Sequence, residues 1–167
     1  IEKTISEILK INSKIYFYWA GNVDKKYYNS NKKFEKILKS KKKFKKRIKI
    51  IKKLNRKKLF DLISSSKMIV LPSLRDNSPN VCLEALSLGK IIIARKDSGY
   101  NDLITNKYNG FLFSKNNDFE IIRLIKQVLK LSKKSKNKVI KNISIKNKLF
   151  KDSRVVNIYK QYLGKIT

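Results

Sequence analysis

Histidine is absent from this chain of 167 residues, and cysteine occurs only once, as Cys82. Without histidine, Ser-His-Asp catalysis and histidine-ligated metal sites are excluded within the chain. A single cysteine likewise excludes an internal disulfide and any cysteine-rich metal site. The chain also lacks an apolar run of about 18 residues or more, so the sequence predicts no membrane-spanning helix.

Acidic residues are scarce: 12 Asp and Glu stand against 42 Lys and Arg, for a net charge of +30. Only six of these basic residues are arginine, the side chain that forks onto phosphates and guanine. Lysine, asparagine and isoleucine are abundant together, as translation of an AT-rich genome would produce. We therefore interpret the lysines as solvated helix surface, which would still attract anionic lipid or acidic substrates. A basic nucleic-acid-binding protein is the less favoured alternative, and we expect no specific nucleic-acid partner.

The length and composition are typical of one folded domain. A chain of 167 residues can bury a sizeable core. Its hydrophobic fraction of 41% argues against disorder. Residue 1 is Ile rather than Met, and we expect the chain to be part of a longer protein.

Apolar periodicity predicts strands and helices in alternation. The predicted strands lie at 14–21, 48–51, 68–71, 91–94 and 111–113, and the predicted helices at 2–9, 29–46, 55–63, 78–88, 100–105, 118–129 and along the rest of the chain. Several strands are continuously apolar, as parallel strands covered on both faces require. The sequence therefore predicts an α/β fold with a doubly wound parallel sheet.

The loop 73–78 follows an apolar strand and precedes a helix start, the place where such sheets bind ligands. With Ser78 as the helix cap, the backbone N–H groups of Asn80 and Val81 would face the loop and favour an anion such as a nucleotide phosphate. Glu84 shares a helix face with Asn80, so its carboxylate could accept hydrogen bonds from ribose hydroxyls.

Asp76, in the same loop, would contact another hydroxyl-rich part of the ligand. The alternative from spacing alone is that Asp76 is a turn residue and Glu84 is exposed to solvent. Two further interpretations concern packing. We expect the aromatic side chains of Tyr16, Tyr18 and Trp19 to pack in the core of a strand, in preference to stacking on a base or sugar. We expect Cys82 to be a small core residue.

The motif continues beyond this helix and resembles a known family. The residues that carry the resemblance are Pro72, Ser73, Asp76, Pro79, Glu84, Ala85, Gly89, Gly99, Asp102 and the run "NGFLF" at 109–113. Together they resemble the donor-binding region of retaining GT-B glycosyltransferases of the glycosyl transferases group 1 family (family 4 type). The implied fold is the Rossmann-like C-terminal half of a GT-B architecture.

The resemblance implies transfer of a sugar from a nucleotide-sugar, with retention and without a metal or other cofactor. By position, Glu84 would bind the ribose and Asp76 would be the catalytic residue near the donor sugar. Backbone amides of Asn77, Ser78, Asn80 and Val81 would hold sugar hydroxyls and the diphosphate.

The resemblance also implies that residues 1–167 form a single nucleotide-sugar-binding domain. The first strand of that domain and the acceptor-binding N-terminal domain of the family would be absent from this chain. The isolated chain is therefore expected to be inactive. The expected acceptor is a glycan or lipid-linked molecule in bacterial cell-surface polysaccharide synthesis. The expected location is the cytoplasm, with peripheral contact at the inner, anionic face of the membrane. Asp76 and Asp102 replace the family's usual Glu, so a non-catalytic glycosyltransferase-like subunit stays an alternative.

Overall fold

The computed structural model describes residues 2–11, 14–20, 46–51, 54–73, 80–96, 99–114 and 118–149. The helix predicted over 29–46 falls outside them apart from Lys46, as does everything predicted beyond Leu149. The chain forms two compact units, Ile1–Leu62 with Asn116–Leu129 and Ile63–Lys115 with Lys130–Thr167. The prediction of a single domain stays a prediction.

Helices and strands alternate along the described chain, as predicted. In order they are α1 (Glu2–Ile11), β1 (Phe17–Ala20), β2 (Ile48–Ile51), α2 (Arg56–Ser65), β3 (Met68–Leu71), α3 (Asn80–Ser87), β4 (Ile91–Arg95), β5 (Phe111–Phe113), α4 (Asp118–Leu129) and α5 (Lys133–Leu149). Every pairing between the described strands is parallel. Parallel strands joined through helices confirm the predicted α/β class.

The first unit is built on the parallel pair β1–β2, in which Phe17 lies opposite Ile48. Ile5 and Leu9, four residues apart on one face of α1, are buried and pack with Phe17 and Ile48. In the last turn of α1, the carbonyl of Leu9 accepts a hydrogen bond from Arg47 Nη2 at 2.9 Å. Helix α1 also packs against α4.

Tyr18 of β1 and Tyr16, directly before the strand, are both exposed. Tyr16 is 58% exposed and Tyr18 is 40% exposed, so the interpretation of these two side chains as core packing is wrong. The physical reason is the two-residue period of a strand, which turns Phe17 and Trp19 toward the more buried side and the tyrosines away from it. Lys49 Nζ lies 5.8 Å from the centroid of the Tyr18 ring, on that exposed side.

The second unit is built on the sheet β3-β4-β5, with β4 in the middle. Ile91–Ala94 of β4 are fully buried, as expected for a central parallel strand covered on both faces. Helix α3 packs on β4 and on α5. Its C-terminus is closed by Gly89, at φ 65°, with the Gly89 amide bonded to Leu86 O and the Lys90 amide to Ala85 O. This is the Schellman arrangement, and it confirms the predicted helix end.

Residues 100–105 form a single turn rather than the predicted short helix. The amide of Ile104 donates to Tyr100 O at 2.7 Å, but the next amide, of Thr105, donates to Asn109 Oδ1 at 2.7 Å. Asn109 is fully buried, and its Nδ2 also donates to Leu103 O at 2.9 Å. A buried side chain thus takes the hydrogen bonds that a continuing helix would have made.

Candidate functional site

Three strands of the second unit end at the same edge of the sheet. Because β3, β4 and β5 are parallel, Leu71, Arg95 and Phe113 lie at their common carboxyl end. The chain leaves β3 through Pro72 and Ser73, the start of the connection to α3. In open α/β sheets this edge is where ligands bind.

Helix α3 begins at Asn80, and Asn80 and Val81 are both exposed. The first four N–H groups of an α-helix have no acceptor within the helix, and its dipole places partial positive charge there. Asn80 and Val81, two of the predicted backbone donors, therefore lie at a solvent-accessible helix start that follows the ligand edge. Such a helix start favours a phosphate.

Glu84 lies one turn further along α3 and is only 4% exposed. The alternative that Glu84 is a solvent-exposed residue is therefore wrong. Its neighbours on the helix, Cys82 and Ala85, are also fully buried, and the prediction that Cys82 is a small core residue is confirmed. A carboxylate is almost never buried to this degree without polar groups to hold it, since leaving water costs several kcal/mol. The fold therefore places a buried acid one turn from the helix start.

The remaining predicted site residues, Asp76, Asn77 and Ser78, lie outside the described residues. Their roles stay predictions. The described part of the predicted site comprises the exit of β3 at Pro72–Ser73 and the helix start that carries Asn80 and Val81.

Arg95 is a residue of this edge that the sequence reasoning missed. Its Nε donates to the carbonyl of Pro72 at 3.3 Å, and its guanidinium lies 5.6 Å from the centroid of the Phe113 ring. Arg95 therefore connects the end of the central strand to the ends of both neighbours. The available signal was an arginine directly after the apolar run "IIIA", where a parallel strand meets its ligand edge.

The second predicted motif follows β4. Gly99 has φ 69°, which only glycine adopts without strain, and the next residue, Tyr100, is fully buried. Ile104 is buried as well, whereas Asp102 is exposed in the turn between them. The apolar positions of this motif thus anchor the turn, and its acid faces solvent.

The described residues contain neither a metal-binding cluster nor a membrane-spanning helix. No group of three or more Asp, Glu and Cys side chains gathers there in a way that would hold a metal ion. Within the same residues, no helix combines the length and the apolar character needed to cross a membrane.

The fold and the site together define a class of α/β protein: its strands are parallel, an exposed helix start follows the carboxyl edge of a sheet, and a buried acid lies one turn into that helix. The model of the family described as "Glycosyl transferases group 1" matches residues 3–145, and the chain belongs to this family. The resemblance of the motif to the group 1 family is thereby confirmed.

Individual relatives agree with this assignment. The chain is 30% identical over 96 residues to UDP-Gal:alpha-D-GlcNAc-diphosphoundecaprenol alpha-1,3-galactosyltransferase of Escherichia coli, a match that covers 54% of this chain and 25% of that enzyme. The matched part of this chain therefore spans about a quarter of the length of that relative.

Solved structures show the same fold. The C-terminal domain of the group 1 glycosyltransferase LpcC from Francisella tularensis superposes with a TM-score of 0.76 at 17% identity, over 87% of this chain and 74% of that one. HepE from Anabaena, solved in complex with UDP-glucose, gives a TM-score of 0.77 at 17% identity, over 98% of this chain and 43% of that one. The fold is thus that of the C-terminal half of GT-B glycosyltransferases.

Proposed function

We propose that this chain is the donor-binding part of a retaining glycosyltransferase, which transfers a sugar from a nucleotide-sugar to a glycan or lipid-linked acceptor. The observation that carries the proposal is the burial of Glu84, at 4% exposed, one turn beyond an exposed helix start. Family membership supports it, as do the UDP-glucose complex of HepE and the UDP-galactose donor named for the Escherichia coli relative.

In this proposal Glu84 recognises the ribose of the donor. A carboxylate offers two acceptor oxygens to neighbouring ribose hydroxyls, and hydrogen bonds to an ionised group are about twice as strong as neutral ones. Burial on α3 fixes the position of the carboxylate before the ligand arrives. Little conformational entropy is then lost on binding.

The diphosphate would lie at the start of α3, held by backbone amides of Asn77, Ser78, Asn80 and Val81. As the bond between the sugar and the diphosphate breaks, the diphosphate leaves with the electron pair and gains negative charge. Preorganised N–H groups and the helix dipole stabilise that charge, so we propose that the transfer needs no metal ion or other cofactor. Asp76, in the loop before the helix, would stand near the donor sugar as the catalytic residue.

The proposal is tested by nucleotide-sugar binding to the protein encoded by the complete reading frame. Melting temperature is measured against UDP-, GDP- and ADP-sugars, because a ligand that binds only the folded state raises it. With the best donor, Glu84→Gln should weaken binding about 10- to 100-fold, since it removes charge-assisted hydrogen bonds worth about 1.5–3 kcal/mol.

The matched control is Glu7→Gln on α1, where the carboxylate pairs with Lys10 at 2.7 Å on the surface. An exposed pair of this kind contributes little, and donor binding should not change. A protein that no nucleotide-sugar stabilises, or a Glu84→Gln variant that binds the donor like the wild type, would contradict the proposal.

A non-catalytic subunit that binds a nucleotide-sugar without transferring it is the second candidate. Asp76 and Asp102 favour it, because each is one methylene shorter than the Glu usual in the resemblance and Asp102 faces solvent. Turnover separates the two candidates. Release of UDP from a bound UDP-sugar in the presence of acceptor lipid extract, abolished by Asp76→Ala with donor binding retained, would establish the enzyme. Donor binding without any release would establish the subunit.

We further propose a role in bacterial cell-surface polysaccharide synthesis, at the cytoplasmic side of the membrane. The diphosphoundecaprenol acceptor named for the Escherichia coli relative supports a lipid-linked acceptor. Deletion of the gene should reduce the amount or change the sugar composition of surface polysaccharide, measured by sugar analysis of washed cells. An unchanged polysaccharide would contradict this setting while leaving the donor-binding proposal intact.

A further inference from the structure

Helix α5 differs from the other described helices in its charge. Its 17 residues, Lys133–Leu149, contain seven lysines and no acidic residue or arginine. Helices α1, α2 and α4 each carry at least one Asp or Glu among their basic residues, and α3 carries Glu84 with no lysine at all. Positive charge on α5 is therefore not offset within the helix.

The lysines of α5 are not spread evenly around it. Lys134, Lys138, Lys141, Ile145 and Lys148 follow one another at steps of three or four residues, and all five are exposed. Side chains at this spacing share one face of an α-helix. This set is called the α5 stripe below.

The other side of α5 is fixed to the second unit, which leaves the stripe pointing outward. Val139 and Ile143 are buried, and Asn147 Nδ2 donates to the carbonyl of Leu86 at 2.8 Å. The helix is about 25 Å long at 1.5 Å per residue. The stripe is therefore a long, rigidly mounted row of lysines.

Apolar groups are exposed beside these lysines. Ile145 within the stripe is 43% exposed, and Tyr108 on the adjoining loop is 41% exposed. That loop is bound to α5, because Asn142 Nδ2 donates to Tyr108 O at 2.9 Å and Lys146 Nζ to Thr105 Oγ1 at 3.0 Å. A tyrosine and an isoleucine among lysines form the combination that enters the headgroup region of a bilayer.

We propose that the α5 stripe, with Tyr108 beside it, docks on the surface of an anionic lipid bilayer. Lysines near such a surface attract it additively, and the neighbouring apolar side chains add contact with the acyl boundary. Nucleic acid is a poorer match, because fork-like phosphate and base recognition relies on arginine and α5 has none. Docking through the stripe does not depend on the proposed sugar transfer.

The test is co-sedimentation with phosphatidylcholine vesicles, with and without phosphatidylserine, at increasing salt. One variant carries Lys134→Gln, Lys138→Gln and Lys141→Gln. Its matched control carries Lys57→Gln, Lys58→Gln and Lys67→Gln, three exposed lysines elsewhere, so that both proteins lose the same charge.

Each lysine near an anionic surface strengthens binding to that surface about fivefold. Loss of three lysines should therefore weaken the partitioning of the stripe variant onto anionic vesicles about a hundredfold. The control should change by no more than a few-fold. The wild type should release from the anionic vesicles at high salt and should not bind phosphatidylcholine alone. Ile145→Asn should weaken vesicle binding by the same factor at every salt concentration.

Three outcomes would overturn the proposal. The first is equal loss of vesicle binding by the two triple variants, which would make net charge the cause rather than the stripe. The second is a wild type that does not bind anionic vesicles at physiological salt. The third is a stripe variant that keeps vesicle binding and loses binding to duplex DNA, which would assign the stripe to nucleic acid. Glutamine replaces exposed lysine with little change in helix propensity, and equal melting temperatures will verify that both variants are folded.

Discussion

Replacing Asn109 with Ala removes the side chain that organises the turn between β4 and β5. Asn109 is fully buried, accepts a hydrogen bond from the Thr105 amide at 2.7 Å and donates to Leu103 O at 2.9 Å. It also directly precedes Gly110 and β5. Alanine at this position leaves both backbone groups without these partners.

The size of the effect follows from the two hydrogen bonds. Each contributes about 1 kcal/mol net, and the cost rises to about 1–3 kcal/mol where water cannot replace the lost partner. Both bonds are only partly buried, so we expect Asn109→Ala to lower the free energy of unfolding by about 2–4 kcal/mol. Asn106 is the matched control on the same turn. Its Oδ1 accepts the Leu112 amide at 3.0 Å in an exposed setting, and Asn106→Ala should cost about 0.5–1 kcal/mol.

Urea unfolding followed by far-UV circular dichroism measures both variants. The midpoint should fall much further for Asn109→Ala than for Asn106→Ala, with the same slope m in each, because the surface exposed on unfolding does not change. Equal losses for the two variants, or a loss below about 0.5 kcal/mol for Asn109→Ala, would refute the argument that the buried amide organises this turn.

Other substitutions test separate parts of the fold and the site by the same unfolding measurement. Gly110→Ala should cost about 1–3 kcal/mol, because a Cβ there would lie 2.9 Å from Ile104 Cγ2 and 3.1 Å from a backbone carbonyl oxygen; an unchanged midpoint would contradict this packing. Gly89→Ala should cost about 1–2 kcal/mol through its positive φ alone, since the nearest atom would be 3.9 Å away, and Gly89→Asn should recover part of that loss. Asn55→Ala should cost about 1 kcal/mol, because Asn55 Oδ1 accepts the amide of Lys58 at 2.9 Å at the start of α2; a neutral result would mean that this cap is not used in solution.

Much of the fold could be predicted from local patterns. Continuous apolar runs predicted β3 and β4 as buried parallel strands. Both are parallel strands, and the central strand β4 is buried, but β3 is only half-buried because it lies at the edge of the three-stranded sheet. Asn55 and Gly89 predicted a helix start and a helix end, because capping depends on groups within a few residues of one another. The turn at 100–105 was predicted as a helix because the residue that prevents the helix, Asn109, acts from beyond the segment itself.

For the candidate site, the sequence determined which residue types follow the third strand and at what spacing, and this was enough to indicate the family. Spacing could not decide whether Glu84 is buried, since a helix face becomes interior only when another element covers it, and here α3 packs on β4 and α5. It could not find the role of Arg95 either, because Pro72 and Phe113 become its neighbours only when three parallel strands align. The sequence by itself determines interactions between residues that are close along the chain. Burial and contacts between distant residues exist only once the sheet and its helices have packed.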